Sequence, residues 1–106
     1  MQLQELYVKF SLRFNRVPMH EILFVESAGH YCRIHTTANK THIVRRRMAE
    51  LAGKLPGDAF MRIHKRYIIG RIHIQFFEGY SVQVNDTRVP IGRAYYDKLL
   101  EQMVVV

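Results

Sequence analysis

Apolar residues stand at every second position over several stretches of this chain, which is typical of strands that bury one face. Residues 7–14 and 30–37 show this alternation. Between them, residues 22–26 form a nearly continuous apolar run, which suits a strand buried on both faces. The pattern therefore predicts three strands, separated by a break at Pro18 and by a tight connection at residues 27–30.

The middle of the chain changes from strand spacing to helical spacing. A hairpin turn at residues 38–40 leads into a short strand at residues 41–44. The apolar residues that follow recur at intervals of three and four: Met48, Leu51, Ala52 and Leu55. Pro56-Gly57 then stops the pattern. We predict a short basic helix over about residues 46–55, which must pack on a sheet because it is too short to be stable alone.

Alternation returns in the second half of the chain, and it closes with helical spacing. The predicted elements are a strand at residues 60–69, a turn at Gly70-Arg71, a strand at 72–77, a hairpin of 80–84 with 87–91, and a short C-terminal helix from Ala94 to about Met103. Many short strands at close spacing predict a mainly β fold, either a sandwich or an open barrel. With 106 residues and no internal repeat, we expect one domain, residues 1–106.

The charge adds the first functional indication. Sixteen Lys and Arg against nine Asp and Glu give a net charge of +7. No acidic residue lies between Glu26 and Glu50, or between Asp58 and Glu78, and bases gather in both windows. This segregation favours a polyanionic partner, either nucleic acid or, second, an acidic membrane face. No apolar stretch approaches the length of a bilayer span, and the N-terminus does not resemble a signal peptide, so we expect a cytoplasmic protein without a membrane partner.

Catalysis is not expected from these residues. The six histidines lack the spacing of a metal site, and the six glycines stand singly rather than in a phosphate-binding loop. On a strand at residues 30–37, His30 and His35 face opposite sides, whereas Cys32 shares the predicted buried face with Ile34. The single cysteine therefore predicts core packing and a reducing compartment. We predict no catalytic residue, no metal and no cofactor.

Four segments, in order, resemble the LytTR family of bacterial DNA-binding domains. Residues 60–69 read FMRIHKRYII, which is similar to the basic strand of that family. Residues 21–27 with Tyr31, residues 48–56, and the VPIGR of residues 89–93 are similar to its opening strand, its helix and its closing segment. Two positions depart from the family pattern. Arg66 stands where the family has a small hydroxyl residue, and Gly70 stands where it has Asn. Asn often supplies a positive φ at a turn, and glycine can adopt the same backbone conformation.

The resemblance implies an elongated stack of small antiparallel sheets that binds DNA through loops, with side chains in successive major grooves. By position, the residues that contact bases would be His30, Lys65 and Arg93. The Arg guanidinium can donate two parallel hydrogen bonds to guanine, and the Lys ammonium group is a compact positive charge. A His ring nitrogen can donate a hydrogen bond to a base edge. The residues assigned to phosphates, which position the domain without reading sequence, are Lys40, Arg45, Arg46, Arg47, Arg62 and Arg66.

Each assignment has a structural alternative. Arg93 could cap the last helix or pair with Asp97, and Arg45 to Arg47 could form a solvated helix start. His64 has the opposite strand parity to Lys65, so we expect it to support the fold.

The predicted function is sequence-specific duplex DNA binding for transcriptional regulation. An alternative is a regulatory protein-interaction module of the same fold without DNA binding. RNA binding is third, because it would need exposed aromatics on a strand face.

A receiver or sensor partner is expected to control the domain. The pattern contains no heptad or long interface, so we expect a monomer in solution that pairs on direct-repeat sites in DNA. The sequence leaves open whether the chain is free-standing or part of a longer regulator.

Overall fold

The structure, a computed structural model, describes residues 5–106, which form ten antiparallel strands, two α-helices and two single turns of 3-10 helix, Met19–Glu21 and Arg71–His73. The strands are β1 (Leu6–Phe10), β2 (Arg13–Val17), β3 (Ile22–Ala28), β4 (Tyr31–Thr36), β5 (Thr41–Val44), β6 (Phe60–His64), β7 (Tyr67–Gly70), β8 (Ile74–Glu78), β9 (Ser81–Val84) and β10 (Thr87–Pro90). The helices are α1 (Met48–Lys54) and α2 (Arg93–Glu101). The expected mainly β fold with a short central and a short C-terminal helix is confirmed.

The strands form three separate sheets. A five-stranded sheet has the order β5-β4-β3-β7-β6, and we call it the central sheet. The β1–β2 hairpin forms a two-stranded sheet, and β10-β9-β8 form a three-stranded sheet. The molecule extends 47 × 35 × 25 Å, so the stack is elongated.

Two hydrophobic cores lie on opposite faces of the central sheet. Val25 and Ile68 point into a core shared with the β1–β2 hairpin and α1, whereas their neighbours Phe24 and Ile69 point into a core shared with β9, β10 and α2. Consecutive residues of a strand face opposite sides, so a strand between two cores must be apolar throughout. This explains the continuous apolar run at residues 22–26, and the strand buried on both faces is confirmed.

Two predicted single strands are pairs of strands. Residues 7–14 contain the end of β1, a two-residue turn and the start of β2, with Ser11 at φ 56°. Residues 60–69 likewise divide into β6 and β7 around Lys65-Arg66. Both predictions were wrong. In residues 7–14 the two-residue turn preserves the alternation of apolar residues, so the pattern runs through it unbroken. In residues 60–69 the turn at Lys65-Arg66 contains no Gly, Pro, Asn or Asp that would indicate a reversal of the chain.

Smaller differences concern the ends of elements. The strand predicted at residues 30–37 begins at Tyr31, and His30 lies exposed in the turn between β3 and β4, beside Gly29 at φ 65°, as the tight connection at residues 27–30 predicted. Cys32 and Ile34 are fully buried, as predicted. The strand predicted at residues 72–77 begins at Ile74, and a register irregularity before Phe76 interrupts its alternation, so that Phe77 packs on the core.

Gly70 is required by close packing and not by a positive φ. Its backbone is extended, at φ −75° and ψ 116°, so the expectation of a left-handed turn was wrong. An added Cβ would overlap the carbonyl oxygen of Ile22 and lie 3.3 Å from the ring of His73. The backbone of β3 therefore approaches β7 at a point where a side chain has no room.

We expect Gly70→Ala to lower the free energy of unfolding by about 1–3 kcal/mol, because the backbone of Ile22 must move to admit a methyl group. Urea unfolding followed by circular dichroism measures the change. Gly53→Ala in α1 is the matched control: its added methyl meets open space, so it should be neutral or raise stability by about 0.5–1 kcal/mol. Equal stability of Gly70→Ala and the parent chain would contradict the packing argument.

Candidate nucleic-acid interface

The strand register brings several turns to one end of the central sheet. Ala28 pairs with Tyr31 across the β3–β4 turn, and Cys32 pairs with Val44 at the end of β5. Glu26 pairs with Tyr67 at the start of β7. In an antiparallel sheet these pairings place the β3–β4 turn, the segment after β5 and the β6–β7 turn side by side.

Arg93 joins the same end from another direction. The Gly92 N–H donates a hydrogen bond to the Ile63 carbonyl at 2.8 Å, next to the β6–β7 turn. The start of α2 is thereby tied to the edge strand β6. We call the resulting surface the basic end; it comprises His30, residues 45–47, Lys65, Arg66 and Arg93, all exposed.

Residues 45–47 leave β5 beside His30 and line a shallow depression with it. The Cys32 thiol donates to the Arg46 carbonyl at 3.2 Å, which anchors the segment to the buried side of β4. The Arg45 guanidinium lies 5.9 Å from the centre of the Tyr31 ring. Arg46 pairs with Glu50 at 3.4 Å, an exposed contact that contributes little to stability. The segment is therefore held by its backbone and leaves its charges at the surface.

Side chains of neighbouring residues build the β6–β7 turn. Arg62 donates from Nη2 to the Lys65 carbonyl at 2.8 Å and from Nε to the His64 carbonyl at 3.4 Å. His64 Nδ1 accepts the Arg66 N–H at 3.1 Å. The Arg66 guanidinium donates to the Ser27 carbonyl at 3.2 Å, which links this turn to the end of β3. These bonds keep the backbone of Lys65 in place while its ammonium group stays exposed.

Tyrosine rings support Arg93, and sequence analysis missed them. The Arg93 guanidinium lies 5.7 Å from the centre of the Tyr80 ring, and Tyr80 packs against Tyr96 at 4.8 Å between centroids. No ion pair joins Arg93 to Asp97 among residues 5–106, so the alternative of an intrahelical salt bridge is not observed. Tyr80 follows Gly79 in a turn, and no periodic pattern in the sequence connects it with Arg93.

Lys40 does not belong to this surface. It lies in the turn between β4 and β5, at the opposite end of the central sheet. The six residues of β4 separate it from the basic end by about 20 Å at about 3.3 Å per residue.

Arg62, also assigned to phosphate, instead contacts its own turn. Its guanidinium donates to the β6–β7 turn and lies 5.8 Å from the centre of the Tyr95 ring. The structure thus brings seven of the nine proposed contact residues together at the basic end, and all seven are exposed.

Within residues 5–106, no three His, Cys, Asp or Glu side chains are grouped as they would be to hold a metal ion. In the same range no helix has the length and apolar content to cross a membrane. Burial raises the pKa of the Cys32 thiol, so this group is a poor nucleophile at neutral pH.

Comparison with known proteins gives three similarities. A family model described as "LytTr DNA-binding domain" matches residues 13–104. The chain is 35% identical over 85 residues to the CO-responsive transcriptional regulator RcoM of Rhodospirillum rubrum, over 74% of this chain and 36% of that protein. The chain therefore spans about a third of the length of this curated relative. A solved LytTr DNA-binding domain of a protein described as a methyl-accepting/DNA response regulator from Bacillus cereus superposes with a TM-score of 0.77 at 18% identity, over 94% of this chain and 96% of the other.

We expect His64 to titrate below its ordinary pKa of 6.5, first because burial disfavours the charged ring and second because Lys65 and Arg66 are close. Protonation would also abolish the acceptor that receives the Arg66 N–H. A depressed folded-state pKa contributes stability above pH 6.5 that is lost as the pH falls through the folded pKa. NMR titration of the ring measures the pKa, and Lys65→Gln should raise it. Titration of His64 above 6.5 would contradict this description of the turn.

Proposed function

Because the chain belongs to the LytTR family of DNA-binding domains, we propose that it recognises specific sequences in duplex DNA and thereby regulates transcription. The observation that carries the proposal is the convergence of His30, Lys65 and Arg93, together with residues 45–47, at one end of the central sheet. Two turns, the segment after β5 and the start of α2 supply these side chains, so they can enter grooves of a duplex from one side.

The role proposed for each side chain, base contact or phosphate contact, follows from how the structure holds that side chain. Arg93 rests on Tyr80 and begins a helix, which limits its rotamers before DNA arrives. A pre-oriented guanidinium suits bidentate bonds to guanine O6 and N7. His30 and Lys65 project from turns with an ordered backbone, and we assign them to base edges as well. Residues 45–47 are assigned to phosphates, because three adjacent guanidinium groups match the charge spacing of a backbone better than the edge of one base.

Two earlier assignments change under this proposal. Arg62 becomes a positioning residue for the β6–β7 turn, and Lys40 lies outside the interface. Arg66 keeps a place in it, because its guanidinium makes one bond to the Ser27 carbonyl and retains other donors. The role is binding rather than catalysis. Since bacterial DNA lies in the cytoplasm, we assign the activity to that compartment, under the control of a receiver or sensor partner.

We further propose that the domain is monomeric alone and pairs on DNA by occupying two direct-repeat half-sites. The free edges of the central sheet are short strands, β5 with four residues and β6 with five. Short edges offer little backbone for pairing between copies. Direct repeats place two copies in the same orientation without requiring a two-fold interface.

Arg93→Ala should lose about 1–3 kcal/mol of affinity for the specific site and little affinity for random DNA, because it removes a contact to a base edge. Arg46→Ala should weaken both duplexes about equally and reduce the slope of log K against log salt by about 1, because it removes a phosphate contact. Fluorescence anisotropy with a duplex selected from a random library, and with a scrambled duplex, measures both effects.

Circular dichroism first establishes that both variants are folded, since Arg93 also packs on Tyr80. If both folded variants lose affinity uniformly across sequences, Arg93 does not contact bases. If the parent chain binds no duplex at low salt, DNA binding itself fails and the protein-interaction module replaces it.

Sedimentation velocity should give a monomer at micromolar concentration, and a complex of two chains with a duplex that carries two half-sites. A duplex with the second half-site scrambled should hold one chain. A tight dimer without DNA would contradict the proposed mode of pairing.

A further inference from the structure

The β1–β2 hairpin exposes large apolar side chains at its tip. Leu12 is 93% exposed, Phe10 75% and Phe14 61%. The opposite end of the hairpin is buried, because Val8 and Val17 belong to the first core. A small domain gains nothing from apolar residues in water, and such a cluster marks a surface that meets a partner.

The charges around the tip select the partner. Lys9 and Arg13 are exposed beside the apolar residues, and the Lys9 ammonium group lies 5.8 Å from the centre of the Phe14 ring. The acidic residue of this region, Glu5, pairs with Arg16 at 3.1 Å near the buried end of the hairpin. The tip therefore combines apolar side chains with uncompensated positive charge, which fits a polyanion that also offers apolar surface.

The tip lies beside the basic end. Val17 at the base of the hairpin leads through residues 18–21 into β3, whereas Ser11 at the tip lines a groove together with Arg45 and Arg46. A groove separates β1 from the segment after β5, and Lys9 and Ser11 line it on one side, Arg45 and Arg46 on the other. The groove is thus continuous with the proposed DNA interface and has basic residues on both walls.

We propose that the hairpin is a second DNA contact: the groove receives one sugar–phosphate strand, and Leu12 and Arg13 enter the adjoining minor groove. This inference rests on the proposed function and extends its footprint to one flank. Apolar side chains wedge into minor grooves in proteins that bend DNA, and arginine is drawn there by the negative potential of a narrow groove. A two-residue turn, with Ser11 at φ 56°, gives the tip a defined shape for such an insertion.

The test compares Leu12→Ser and Arg13→Gln with the parent chain. Both side chains are exposed, so neither substitution removes a core contact. Lys40→Gln is the matched control for charge, because it removes one positive charge at the opposite end of the central sheet. The probe is a duplex selected by the parent chain from a random library, extended on both flanks. Hydroxyl-radical footprinting reports sugars that are covered in the minor groove, and anisotropy gives the affinity.

The parent chain should protect an additional patch of sugars on one flank of the site. Leu12→Ser and Arg13→Gln should lose that patch and between about twofold and tenfold in affinity, with unchanged base preference. Arg13→Gln should also reduce the slope of log K against log salt by about 0.9, and Lys40→Gln should not. Removing the base pairs of that flank should make the parent chain and both variants equal.

Two results would overturn the inference and leave the proposed function standing: unchanged flank protection in both hairpin variants while Arg93→Ala loses specific binding, or a loss of self-association in Leu12→Ser with unchanged DNA affinity per monomer. The second result would assign the tip to a protein interface. Absence of DNA binding by the parent chain would overturn both proposals together.

Discussion

The pairing of β3 with β4 on one side and β7 on the other is the constraint on which the rest of this structure depends. β3 has a core on each face, so a shift of its register by one residue would move every apolar side chain into the wrong core. The register in turn decides which turns meet at the basic end. The burial of apolar side chains in the two cores therefore determines where the polar and charged side chains of the basic end lie, although these side chains belong to neither core.

Concentrating this much positive charge at one end costs free energy through repulsion, and the structure offsets it locally. Tyr31, Tyr95 and Tyr80 each lie under a guanidinium group, from Arg45, Arg62 and Arg93 respectively. Backbone carbonyls of the turns accept further guanidinium donors. Because neither ring faces nor carbonyls carry a full negative charge, they hold the cations without neutralising them, and the surface stays attractive to an anion.

Much of the fold could be predicted from the sequence, and the errors have a common cause. Alternation identifies strand residues and which face they share, so the burial of Cys32 and Ile34 and the apolar run of β3 were predicted correctly. It says nothing about where a two-residue turn reverses the chain, so both the β1–β2 and β6–β7 turns were missed. The four segments similar to LytTR domains are confirmed by the match over residues 13–104. The support of Arg93 by Tyr80 is a contact between distant residues, which no local pattern encodes, and the separation of Lys40 from the other bases needed the sheet register.

The residues assigned to base contacts occupy the β3–β4 turn, the β6–β7 turn and the start of α2, and none belongs to either core. The residues proposed to recognise DNA are thus different from the residues that form the two cores. On the proposed assignment, a substitution at one of these positions changes a DNA contact and leaves both cores intact. A new base preference would then need changes at only a few exposed positions of an otherwise unchanged fold.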